Sequence, residues 1–387
     1  MDAAAGRRIN SLITAIAAAS LTGCGFGLSL PLIALNLEFM TGSGVISGWN
    51  VMMSALATII LAPVLPMIMA KLPGRGLLAF ACVLCGVSFL AFPLTDNLWL
   101  WAAFRFSLSI GLTIVFIVSE VWINQLAEDA HRGRLMGVYA TSLSAGFALG
   151  AVLLALIGPD GWAPFVVAAA IFASGSLLTL LPGPGVQPPE GEGAHPFALA
   201  RAVWIAPTAF AAALFFGAIE TASMHFISVY GVRIGLIEQT AALFLFAAAI
   251  GNIAFQFPLG MLADRVGAFQ VLILCAIGGT LIPLLLLVTE GALAAQFILF
   301  FFYAGIVVGM YTIGLVLLGE RFKGGALGAA NAAFVFMYGA GELFSPPYAG
   351  ALMDAINPGG LMMALSSMAG AFLIFAVIRR AVTVKSR

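Results

Sequence analysis

The chain has 387 residues, 62% of them hydrophobic and 8% charged, with 16 basic and 16 acidic residues and a mean hydropathy of +1.12. No water-soluble core needs that much apolar surface, and zero net charge leaves no basic face for nucleic acid. The apolar runs are continuous rather than alternating, so they read as helices, and a bilayer-spanning helix takes about 20 mainly apolar residues.

In chain order the runs predict spans near 9–33, 45–70, 77–94, 98–126, 135–157 and 162–182, then near 201–229, 238–262, 268–289, 293–319, 326–352 and 358–378. Between the two sets, Pro182-Gly183-Pro184-Gly185 through Pro188-Pro189-Glu190-Gly191-Glu192-Gly193 is too dense in Pro and Gly for a helix and reads as a linker. The expected organisation is a bundle at 1–182, a cytoplasmic linker at 183–200 and a second bundle at 201–387.

Loops rich in Lys and Arg stay cytoplasmic. Arg7, Arg8, Lys71, Arg75, Arg132, Arg134, Arg201, Arg265, Arg321, Lys323, Arg379, Arg380, Lys385 and Arg387 fall on one side of twelve spans, 14 of the 16 basic residues. Arg233 lies alone on the other side and Arg105 lies inside the fourth span, so both termini are expected in the cytoplasm. Reading Arg7 and Arg8 as part of a cleaved signal would remove the first span and break this sorting.

Two motifs repeat at nearly one spacing. Pro66 to Pro73 takes the place in the first half that Gly260 to Gly267 takes in the second, 194 residues on; Gly146-x-x-x-Gly150 matches Gly341-x-x-x-Ser345-Pro346 at an offset of 195. The segment Gly260-Met261-Leu262-Ala263-Asp264-Arg265-Val266-Gly267 resembles the signature loop of the major facilitator superfamily, which joins the second and third spans of a six-helix half on the cytoplasmic face. Glu120-Val121-Trp122-Ile123-Asn124 followed by Arg132-Gly133-Arg134 resembles a poorly characterised bacterial branch of that family. The resemblance implies an all-α membrane protein of about 12 transmembrane helices, in two six-helix bundles related by pseudo-two-fold symmetry, acting as a secondary transporter. It also implies a bacterial inner-membrane location, a monomer, and a gating loop of Gly260, Asp264, Arg265 and Gly267, with Asp264 near emerging helix N-termini. The first copy departs from the family: Ala70 replaces its aspartate and Pro73 its glycine, and Ala151 stands where drug/proton antiporters carry proline.

Charges inside spans are costly and usually face a cavity or a partner. Arg105, Ser109, Thr113, Phe116 and Glu120 recur at helical spacing along the fourth span. Glu220 lies in the seventh span with Ser223 near it, and Asn331, Phe334, Tyr338, Glu342 and Ser345 share a face of the eleventh. The family resemblance places the first, fourth, seventh and tenth spans around the cavity. Glu220, Glu342 and Glu120 are then the proton-coupling candidates, and Arg105, Ser109, Thr113, Phe116, Phe216, Ser223, Tyr303, Tyr311 and Tyr338 the substrate-cavity candidates, with Phe215 also shaping the pocket. A carboxyl in a low-dielectric pocket is costly to ionise, so it can load and release a proton as water access alternates. Ser47, Asn50, Ser54 and Thr58, and likewise Asn252 and Gln256, read as glue between helices. His225 reads as an interfacial residue, with a pH-sensitive gate as the alternative.

Cys24, Cys82, Cys85 and Cys275 all fall in apolar spans and read as packing. No phosphate-binding loop, metal cluster or nucleophile elbow is visible in the sequence, so no cofactor, metal or enzymatic reaction is expected. What remains is gradient-driven movement of a small-molecule substrate, with protons as the coupling ion. The cargo is either an exported amphipathic compound or an imported metabolite. A transporter-shaped assembly, sensing or delivery partner is the other class.

Overall fold

The computed structural model describes residues 3–126, 132–182, 203–289, 291–322 and 325–385. The expected linker at 183–200 lies outside the described residues, as do Arg201 and Lys323. The described residues form thirteen α-helices: α1 Ala3–Thr41, α2 Gly44–Leu61, α3 Leu65–Lys71, α4 Gly74–Ala91, α5 Leu98–Leu126, α6 Arg132–Ile157, α7 Ala163–Leu178, α8 Pro207–Arg233, α9 Glu238–Val266, α10 Ala268–Val288, α11 Leu293–Arg321, α12 Gly325–Ala355 and α13 Gly360–Lys385. Ten helices among the described residues are long and apolar enough to cross a membrane, and the shorter α7 and the 31-residue α12 complete the expected twelve spans. In lipid the helix is the one open-ended element that satisfies its own backbone. Large apolar side chains therefore point outward, and Trp99 and Trp204, at the starts of spans, are among the most exposed.

Proline explains where the expected spans differ from the observed ones. The second span is split into α2 and α3 at Ala62–Val64, because Pro63 and Pro66 remove backbone donors. The third closes in a 3₁₀ turn, Phe92–Leu94, around Pro93. Pro31, Pro258, Pro283, Pro346 and Pro347 stay inside helices, as spanning helices tolerate.

The chain divides into two compact units, Met1–Met40 with Met53–Gly191, and Thr41–Met52 with Glu192–Arg387. Each unit carries the same packing devices. In the first, α1 and α6 approach through Gly23, Gly27, Gly146 and Gly150, where an added Cβ would strike the partner's backbone carbonyls. In the second, α8 and α12 do the same through Gly217, against the Tyr338 carbonyl, and Gly341, against that of Leu214. Cys85 of α4 fills the space over Gly111 of α5, and Cys275 of α10 fills the space over Gly309 of α11. Small residues let spanning helices come close where no hydrophobic effect drives them together. The repeat is therefore one of packing as well as of motif, and all four cysteines are buried.

Arg75, two residues beyond the first motif copy, ties the end of the first unit together. Its guanidinium donates to the carbonyls of Thr179 and Leu181 and to Ser11 Oγ, and lies 5.0 Å over the Trp122 ring. A lysine cannot reproduce a planar fork that also stacks. Arg75→Lys is expected to lower the thermal midpoint in detergent, whereas Lys71→Ala, at an exposed position four residues earlier, leaves it within error.

Candidate functional site

Glu220 sits at the midpoint of α8, where the helix is buried on nearly all sides. With Phe216, Ile219, Ser223 and Met224 it forms one wall of a narrow cavity completed by Asn252 of α9 and by Tyr303, Ala304 and Val307 of α11, with about 10 Å³ of free room, on the order of one water molecule. Apolar side chains make most of this lining, and the polar atoms come from one carboxyl, one amide, one hydroxyl and one phenol. Tyr303 is 1% exposed, and its hydroxyl has no hydrogen-bond partner among the described residues.

Behind the wall, Tyr338 of α12 donates its hydroxyl to Glu220 Oε2 at 2.7 Å. One turn further along α12, Glu342 accepts from the Thr221 hydroxyl at 3.4 Å. Two carboxyls from neighbouring helices thus meet around one tyrosine and one threonine. Three rings pack the base of this cluster, with Phe216 5.5 Å from Tyr311 and 6.0 Å from Tyr338, and Tyr311 5.8 Å from Tyr338. The arrangement depends on the Gly217 and Gly341 contacts, because only a close α8–α12 approach brings Tyr338 within reach of Glu220.

The expected residues separate into three groups. Glu220, Phe216, Ser223 and Tyr303 line the cavity, while Glu342, Tyr338 and Tyr311 support it from behind. Arg105, Ser109, Thr113, Phe116 and Glu120 lie on α5 in the first unit. There Arg105 is buried, Phe116 and Glu120 are half-buried, and Ser109 and Thr113 meet Ser54 at 2.6 Å and Thr58 at 2.9 Å. Of the polar residues of span two, Ser54 and Thr58 do join helices, and their partners are two of the expected cavity residues.

Four expectations change. Phe215 turns away from the cavity and packs on Phe372 of α13, because consecutive helical residues point about 100° apart. Asn252 and Gln256 pair with each other at 2.9 Å along one helix, and Asn252 faces the cavity instead of gluing helices. His225 is 7% exposed and its Nδ1 donates to the Thr221 carbonyl at 2.8 Å, so it is a buried ring and not an interfacial one. The motif expected as a loop, Gly260 to Val266, is the last turns of α9; only Gly267, at φ +97°, leaves the helix, and Asp264 and Arg265 are exposed. Asp264 therefore lies in the last turn of α9, four residues before α10 begins at Ala268.

Ile219, Met224, Asn252, Ala304 and Val307 were missed as lining residues. Asn252 carried a usable signal, a lone amide in the middle of an apolar span. The other four are indistinguishable in sequence from packing residues.

Helical spans in two sets with repeated packing, one of them holding a mainly apolar cavity with a carboxyl in its wall, define a polytopic membrane carrier. A family model described as Major Facilitator Superfamily matches residues 12–253 and 233–387, and the chain belongs to that family. It is a multi-pass transporter of small molecules in a lipid bilayer, not an enzyme. It is 26% identical over 349 residues to the "uncharacterized MFS-type transporter YfkF" of Bacillus subtilis, covering 88% of each chain. Among solved structures, the nucleoside transporter NupG matches with a TM-score of 0.78 at 15% identity, over 98% of this chain and 99% of that one. An inward-facing bacterial homologue of the human lysosomal transporter Spinster matches with a TM-score of 0.75 at 14% identity, over 96% and 95%. At such identities the likeness to these structures is one of fold.

Proposed function

We propose that this protein is a proton-coupled secondary transporter of a small cationic or neutral organic solute. It works by alternating access as a monomer in the bacterial inner membrane, with both termini cytoplasmic. The observation that carries the reading is the carboxyl of Glu220 in the wall of a cavity, held by Tyr338, with Glu342 behind it held by Thr221. An acid held there exchanges a proton when water reaches it, and a positively charged or hydrogen-bonding solute in the cavity competes with that proton for Glu220. Proton and solute are then coupled through one side chain. The aromatic face of Phe216 and the thioether of Met224 suit an apolar or cationic body, and Ser223, Asn252 and Tyr303 suit its polar groups.

The sorting of 14 basic residues onto one face supports the orientation. NupG is a nucleoside transporter by name, so nucleosides belong in the first panel of solutes beside organic cations, amino acids, sugars and organic acids. A thermal-shift screen of the purified protein at two pH values identifies the solute class, because a specific ligand stabilises the folded state by mass action. The reading expects a hit that tightens as pH rises and Glu220 gives up its proton. A hit whose affinity is the same at both pH values overturns the coupling. Tyr338→Phe keeps the rings packed but removes the hydroxyl that Glu220 accepts from; it is expected to retain solute binding while moving the pH midpoint of transport.

A further inference from the structure

Arg233, the lone basic residue in its loop on the face opposite the termini, ends α8 with a side chain that is 7% exposed. Its Nη1 donates to the Met353 carbonyl at 2.6 Å and its Nη2 to Asp354 Oδ1 at 3.2 Å. Asp354, in the last turn of α12, also accepts from the Gly44 N–H at 2.7 Å, the Val45 N–H at 3.1 Å and the Ser43 hydroxyl at 2.9 Å. Gly44 and Val45 open α2, so Asp354 caps a helix that begins 310 residues earlier in the chain. A helix start leaves four N–H groups without an internal partner, and a carboxylate there also meets the positive end of the dipole.

Beneath the cap, α2 and α12 touch through small residues. A Cβ on Gly44 would come 2.7 Å from the Gly350 carbonyl oxygen, and one on Gly48 would meet that of Pro346. Ser47, between these two glycines, is 1% exposed. At Gly44, Gly48 and Gly350 the two helices meet backbone to backbone, the close approach that small residues allow. The start of α2 belongs to the second compact unit and its continuation to the first, the change falling between Met52 and Met53.

We propose that Asp354 and Arg233 form a releasable clasp on the face opposite the termini: the cap on α2 holds the glycine seam shut in one state of the transport cycle and lets go in the other. The clasp rests on the alternating-access reading above, but its test needs neither solute nor a pH gradient, so it stands or falls separately from the role of Glu220. Ser47→Cys places a thiol inside the seam, and its reaction with a fluorescent maleimide in nanodiscs reads opening directly, with the parent protein giving the background from the four buried native cysteines. Adding Asp354→Ala is expected to raise the labelling rate by about 5-fold or more, the lower end of typical coupling between states. Arg233→Gln, which leaves the cap in place, is expected to raise it less. The exchange of both residues, Arg233→Asp with Asp354→Arg, restores an ion pair but points a donor at donors, and is expected to label as fast as Asp354→Ala. Rates within twofold of the Ser47→Cys protein for both single variants overturn the clasp, as does a lowered thermal midpoint with unchanged labelling. Protection regained in the exchanged pair overturns the capping role.

Discussion

Glu220→Gln is expected to reduce solute transport driven by a proton gradient by roughly 5- to 150-fold, the range that a coupling free energy of about 1–3 kcal/mol represents. The amide keeps the shape of the side chain and still accepts from the Tyr338 hydroxyl, so the α8–α12 contact and the cavity wall survive. What it loses is the proton. Solute exchange without a gradient, which needs only binding and alternation, is therefore expected to persist with a flat pH profile. Proteoliposomes loaded with the solute found in the screen separate the two, since uptake under an imposed pH step and counterflow at equal pH are measured on the same preparation. Glu342→Gln gives the internal comparison. Glu342 lies behind the cavity and meets Thr221 at 3.4 Å, so its loss is expected to shift the pH midpoint and leave gradient-driven transport in place. Gradient-driven uptake that survives Glu220→Gln with its pH dependence intact would sink the assignment.

The largest structural effect is expected at Gly341. Any side chain there strikes the Leu214 carbonyl, which is helix backbone and cannot swing aside, so α8 and α12 must separate. Overpacking a tight interior typically costs about 1–3 kcal/mol, and here the displaced atoms belong to the backbone. Gly341→Leu is expected to abolish the monodisperse peak in size-exclusion chromatography, or to lower the thermal midpoint strongly while moving Tyr338 out of reach of Glu220. The family-motif glycine Gly260 provides the contrast. A Cβ at Gly260 meets nothing within 4 Å and the residue lies within α9, so Gly260→Ala is expected to hold or slightly raise stability, Ala being the better helix former by about 1 kcal/mol. Gly267, at φ +97°, is the motif position where an alanine is strained.

That contrast shows how unevenly the chain can be read. The spans were legible because a bilayer imposes one requirement, about 20 apolar residues per crossing, that composition alone reports. The twofold repeat was legible too, since Gly146 and Gly341 carry a packing constraint that tolerates no other residue. Glu220 stood out because a carboxyl in an apolar span is costly wherever it points. Direction was the missing quantity. Phe215 and Phe216 are neighbours of the same type, and only the helix rotation set by Gly217 against Tyr338 sends one to the cavity and the other to Phe372. Ser109 and Thr113 had the right spacing for a cavity stripe, but the hydroxyls of Ser54 and Thr58 meet them first.

The amino-acid sequence by itself determined a membrane protein of about twelve spans in two repeated parts, because hydropathy, basic-residue placement and repeat spacing are local properties written along the chain, and the resemblance of Gly260 to Gly267 to a family loop added transport. Tertiary structure alone decided which polar groups meet. Tyr338 reaches Glu220 across 118 residues and Asp354 reaches Gly44 across 310, pairings set by helix rotation and close glycine contact, for which no stretch of sequence carries a code.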